Sequence, residues 1–87
     1  MPRAVFMAAF RPEDDGGFSA TFPDVPAAIT QGETFDSALL NAVDALQTVL
    51  GDAIERGLAP PEPSHRDALI ARICSDGAQA VPVPLIM

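Results

Sequence analysis

Residues 18–46, FSATFPDVPAAITQGETFDSALLNAVDAL, decide the fold, because the hydrophobic period changes within them. Phe18, Ala20 and Phe22 fall on one side of an extended chain and Ser19 and Thr21 on the other, the period of two of a half-buried strand. Pro23 and Pro26 remove two amide donors and end that strand. Ala27 to Gln31 can form a third short strand, closed by Gly32 at a sharp turn. Thr34 then opens a helix: its hydroxyl can accept from the first turn, and Asp36 places a carboxylate at the positive end of the helix dipole. Phe35, Leu39, Ala42, Val43, Leu46, Val49, Leu50, Ala53 and Ile54 recur at three and four residues, one apolar stripe over six turns. Arg56 and Gly57 form a stop signal.

Working outward, Ala4 to Phe10 is apolar throughout and reads as a strand with both faces covered. Phe6, Ala8 and Phe10 then face one layer. Val5, Met7 and Ala9 face the other, where a second subunit is expected. Arg11 to Gly17 carries turn chemistry, so this strand and residues 18–22 form a hairpin. Downstream, Leu58 to Pro63 holds three prolines and cannot be helical. Ser64-His65-Arg66-Asp67 resembles a capping box opening a short helix over 65–74, with Leu69, Ile70 and Ile73 inward. In the last segment, Ala78 to Ile86, Val81, Val83 and Leu85 alternate with Pro82 and Pro84. The prolines strip donors from one side only, which makes this an edge strand with a blunted outer rim. The order is β-β-β-α-(α)-β, an α+β class chain: a small, three- to four-stranded, antiparallel-rich sheet with one long helix on one face.

With 87 residues the chain makes one domain, residues 1–87. A domain this small buries only about 60–65% of its unfolded surface, so association, as a dimer or tetramer, is expected. A hydrophobic content of 48% argues against disorder. Twelve acidic residues face five Arg and no Lys, a formal charge of −7. Arg3, Arg11, Arg56, Arg66 and Arg72 are scattered, which is unlike the clustered cations that grip nucleic-acid phosphates. The balance suits a basic protein partner instead. The lone cysteine, Cys74, excludes an intramolecular disulfide and reads as a half-buried structural residue near an element end. No signal peptide or membrane span is visible, so the expected location is cytoplasmic, away from membranes.

Candidate chemistry is sparse. Asp14, Asp15, Asp24, Glu33 and Asp36 are the carboxylates that a two-metal nuclease would have to gather. Asp14 and Asp15 are explained by a turn and Asp36 by a helix start, and no acid sits in the first strand. His65 lies in a polar, proline-flanked segment with no orienting partner, as a solvated residue would. No serine has a nucleophile context. The chain therefore reads as non-enzymatic, with no cofactor and no metal.

Phe22-Pro23-Asp24-Val25-Pro26, then Thr30-Gln31-Gly32-Glu33-Thr34, then Ala38, Asn41-Ala42 and Ala45-Leu46 resemble the HicB-like antitoxins, and the likeness continues through Gly57, Pro61 and Pro63-Ser64 to the valine-rich last strand. Phe22, Pro23, Asp24, Gln31, Gly32 and Thr34 carry its motif. Ala27 stands where the family pattern has Gly. The resemblance implies a degraded, partial RNase H-like fold without nuclease activity. It also implies a partner: a HicA-type toxin, a small basic mRNA-cleaving protein whose catalytic or RNA-binding surface the antitoxin covers. Many such antitoxins add a C-terminal DNA-binding module. The sequence stops at Met87, directly after the last strand, so none is expected here, nor direct binding to nucleic acid. Toxin contact is expected at Asp14, Asp15, Asp24 and Glu33, whose carboxylates would stand in for RNA phosphates. A stand-alone oligomeric binding module of the same fold is the alternative, and a metal-dependent RNase H-like nuclease a remote one.

Overall fold

The computed structural model describes residues 4–59, 61, 62 and 64–85. Arg3, Pro60, Pro63 and Ile86 lie outside them. Four strands, β1 (Ala4–Pro12), β2 (Phe18–Thr21), β3 (Ile29–Gly32) and β4 (Gln79–Leu85), form one antiparallel sheet in the order β3-β2-β1-β4. Between β3 and β4 run α1 (Phe35–Glu55) and α2 (Arg66–Ser75). The third strand begins two residues later than the sequence pattern implies. Val25 N–H donates to Phe22 C=O and Ala28 N–H to Val25 C=O, and these consecutive turns hold residues 22–28 out of the sheet.

The main core lies between the sheet and α1. Phe6, Ala8 and Phe10 of β1, Ala20 of β2, and Val81 and Val83 of β4 meet Ala38, Ala42, Leu46 and Leu50 of α1. Leu46 is fully buried, and such a side chain contributes about 1.5–3 kcal/mol by transfer alone. Phe35 packs on Phe10 at 5.1 Å between ring centroids and edge-on to Phe18 at 5.7 Å, which fixes the N-terminal end of α1 over the hairpin. Thr34 caps α1 as expected: its Oγ1 accepts from Ser37 N–H at 3.0 Å, and Ser37 Oγ accepts from Thr34 N–H at 3.0 Å. At the other end Gly57 adopts φ +79°, Gly57 N–H donates to Ile54 C=O, and Leu58 N–H reaches Ala53 C=O, closing a Schellman motif.

The second face of the sheet corrects the sequence reading. Val5, Met7 and Ala9 were expected to meet another subunit. In the structure α2 folds over that face, so Met7 and Ala9 are buried with Leu69, Ile73 and Ala78 in a second cluster of the same chain. Val5 is half-buried. The cause is α2's own apolar residues: Leu69, Ile70 and Ile73 need cover, and the Met7 and Ala9 side of β1 supplies it.

Ser64 also departs from expectation. The cap position of α2 belongs to His65, which makes no side-chain capping bond. Ser64 turns instead to the loop after β2, where its N–H and hydroxyl donate to the two Asp24 oxygens at 2.7 and 2.5 Å. Here Ser64 acts as a double donor to one carboxylate, a charge-assisted pair of bonds, and not as an acceptor for the first-turn amides. This contact spans 40 residues and ties the start of α2 to the sheet. Asp24→Ala is expected to speed amide exchange across residues 66–75 about tenfold while α1 amides keep their rates, since hydrogen bonds to a charged group contribute about 1.5–3 kcal/mol and this one is exposed. Unchanged exchange in α2 would show that the contact does not hold it. Cys74 lies at the end of α2 and is exposed, not half-buried, because Leu69 and Ile73 take the inward positions of that helix.

An acidic groove beside the open edge of the sheet

Two backbone features build the candidate site. The β1–β2 hairpin turns through Glu13 to Gly17, with Glu13 N–H donating to Gly17 C=O at 2.7 Å and Asp15 Oδ1 accepting from Gly17 N–H at 3.1 Å. The chain then leaves β3 through Gly32 and Glu33 into the Thr34 cap. Gly32 serves this junction differently from the sequence reading. Its φ is not positive; it is bare because α1 comes so close. A Cβ there would stand 2.3 Å from Ala38 N and 2.7 Å from Ala38 Cα.

Hairpin and junction together enclose an open groove of about 770 Å³ lined by Glu13, Asp15, Gly17, Phe18, Gln31, Gly32, Glu33, Ser37 and Asn41. Glu13, Asp15 and Glu33 are exposed. Among the described residues the only ion pair is Arg56–Asp52 on α1, so no described arginine is paired with these three carboxylates. Asn41 Nδ2 donates to Gln31 C=O at 2.9 Å and fixes α1 against β3 along the groove.

Of the four acids expected at a toxin contact, the structure brings Asp15 and Glu33 into this groove. Asp14 is exposed on the hairpin but is not part of the lining, and Asp24 is engaged with Ser64. Glu13 was missed. The acidic run 13–15 was visible in the sequence, but only the hairpin register selects Glu13 and Asp15 from it. The motif residues mostly build the fold: Phe22 is buried, Thr34 caps α1, and Gly32 admits it. Of the motif residues Gln31 and Gly32 line the groove, and Gln31 meets Asn41 there through its backbone carbonyl.

The chemistry of the groove is that of binding. It offers uncompensated negative charge in a concave surface, which concentrates the field and attracts cations. Among the described residues no three His, Cys, Asp or Glu side chains are placed to hold a metal ion. No helix is long and apolar enough to cross a membrane, again among the described residues.

The chain is 44% identical over 43 residues to antitoxin HicB 1 of Photorhabdus laumondii, a match that takes in 49% of this chain and 28% of that protein. The matched stretch therefore spans well under half the length of that relative. Its fold is similar to the N-terminal domain of Burkholderia pseudomallei antitoxin HicB, with a TM-score of 0.84, 27% identity, and coverage of 95% of this chain and 99% of that one. A toxin–antitoxin complex from Streptococcus pneumoniae contains a chain of the same fold, with a TM-score of 0.79, 22% identity, and coverage of 98% and 70%. The family described as HicB-like antitoxin of bacterial toxin–antitoxin systems matches residues 5–84, and the chain belongs to it.

Proposed function

We propose that this chain neutralises a HicA-type, mRNA-cleaving toxin by covering its catalytic or RNA-binding surface, with no chemistry of its own. Family membership supports the partner class, and the groove supports the mode. The observation that carries it is the set of Glu13, Asp15 and Glu33 carboxylates around one concavity, none of them in an ion pair among the described residues. A protein that binds RNA presents Lys and Arg to phosphates, and a carboxylate array complements the same cations. Asp14, on the hairpin next to this set, adds to its field. The proposed setting is cytoplasmic, where both partners are made.

Self-association belongs to the same proposal. Met7 and Ala9 lie under α2, so a dimer or tetramer uses another surface. Sedimentation of the free chain across concentrations reads it.

The test is a titration of a candidate HicA-type toxin, sought as a small basic reading frame next to this gene. The toxin alone cleaves RNA, and adding the chain is expected to stop cleavage at a fixed stoichiometric ratio. Cleavage that continues with the chain in tenfold excess would leave the fold assigned and the neutralising role wrong.

A further inference from the structure

The sheet has two edges, and the chain treats them differently. In the hairpin, Glu13 N–H donates to Gly17 C=O, so along the same ladder Arg11 faces Ser19 and Ala9 faces Thr21 through their backbone groups. Phe18 and Ala20 therefore turn theirs to β3, against Gly32 and Thr30. Ile29 and Gln31 are left pointing out of the sheet. On β4 the same alternation turns Ala80, Pro82 and Pro84 outward, and two of those three have no N–H to offer. One edge is blocked by proline and the other is not.

At the open edge Asn41 occupies the Gln31 carbonyl. The Ile29 N–H, the Ile29 C=O and the Gln31 N–H have no partner among the described residues. Beside them the Ile29 side chain is 66% exposed, because α2 covers only the β1 and β4 side of that face. An open edge with an exposed β-branched residue is a template for strand addition. Its Gly32 end runs directly into the acidic groove.

We propose that β3 receives an extended, basic segment of a partner protein as a fifth strand, with an apolar side chain beside Ile29 and a Lys or Arg at the Glu33 end. This rests on the antitoxin reading for the partner's identity, not for the docking itself. Charge selects the occupant: a second copy brings another −7 to this edge, whereas a basic segment meets Glu13, Asp15 and Glu33.

The probe is an eight-residue peptide of alternating valine and lysine, with a valine–glutamate peptide as control, and the readout is amide exchange on the full chain. The lysine peptide is expected to slow exchange at Ile29 and Gln31 at least tenfold, while the glutamate peptide leaves both at the free rate. Gln31→Pro copies the device already present on β4 and is expected to abolish the protection at Ile29. If that variant fails to fold, the wild-type exchange data decide alone. No protection with the lysine peptide at millimolar concentration, or equal protection by both peptides, overturns the proposal. So does protection that appears in the chain alone as its concentration rises, which assigns the edge to a second copy. A toxin complex that forms with Gln31→Pro at wild-type affinity overturns this docking mode and leaves the antitoxin function standing. Absence of any toxin complex removes the antitoxin function, and the peptide data still decide the edge.

Discussion

Gly32→Ala is expected to lower the melting temperature of this chain by about 10–20 °C. The added methyl meets Ala38 N at 2.3 Å, Ala38 Cα at 2.7 Å and Ser37 Oγ at 2.6 Å. Two of those three atoms are helix backbone and cannot swing aside, so α1 has to shift away from β3 as a body. Forced overpacking of this kind costs about 1–3 kcal/mol, and disturbing the Thr34–Ser37 capping box adds to it. In a domain of this length each kcal/mol moves the melting temperature by about 4–8 °C. A far-UV thermal melt reads the change. A variant melting within about 3 °C of the parent would show that α1 is not seated as closely as described. Gly32 also lines the groove, so partner binding is expected to fall with stability.

Glu13→Gln, Asp15→Asn and Glu33→Gln made together are expected to weaken toxin binding about 10- to 100-fold while leaving the melting temperature nearly unchanged. All three side chains are exposed, and Asn at position 15 keeps an oxygen for Gly17 N–H. Each exposed ion pair contributes about 0.2–1 kcal/mol, so three together supply about 0.6–3 kcal/mol, up to about two powers of ten, and the concave setting places the expected loss in the upper part of that range. Most of the loss is expected in the association rate, and adding salt should narrow the gap between variant and parent, because long-range steering is screened within about a Debye length. Neutralising Glu55, Glu62 and Asp76 removes the same charge outside the groove and is expected to change affinity less than threefold. Equal losses from both sets would mean that net charge, and not this groove, attracts the partner.

Much of this architecture is legible in the sequence. The period change between Phe22 and Phe35 marks strand and helix, Thr34 and Gly57 bracket α1, and the alternation of Pro82 and Pro84 with Val81 and Val83 names β4 as a blunted edge. These are local signals, carried by spacing and by residues whose backbone preferences are strong. What escaped is long-range. Leu69 and Ile73 announce an amphipathic α2, but periodicity does not say which surface it covers, so the Met7 and Ala9 side of β1 looked open. Ser64 read as a helix cap because its true acceptor, Asp24, is 40 residues away. Gly32 read as a turn residue because a close approach and a left-handed φ leave the same mark in a sequence, a glycine.

The site was half legible for the same reason. Asp15 and Glu33 stood out as acids near element ends. That they share one groove with Glu13 follows from strand register and from Gly32 admitting α1, neither of which one segment encodes. Four-stranded pairing also leaves β3 as the unblocked edge, a property of the whole sheet order.

The most direct measurement is growth of cells carrying a candidate HicA-type toxin, sought as a small basic reading frame next to this gene, with and without this chain, followed by isolation of the complex. The toxin alone is expected to stop growth, and co-expression of this chain to restore it, with both proteins recovered as one stable species whose affinity falls in the Glu13, Asp15 and Glu33 triple variant. A toxin that still arrests growth when this chain is present at equal or higher level, with no complex recovered, would contradict neutralisation by occlusion.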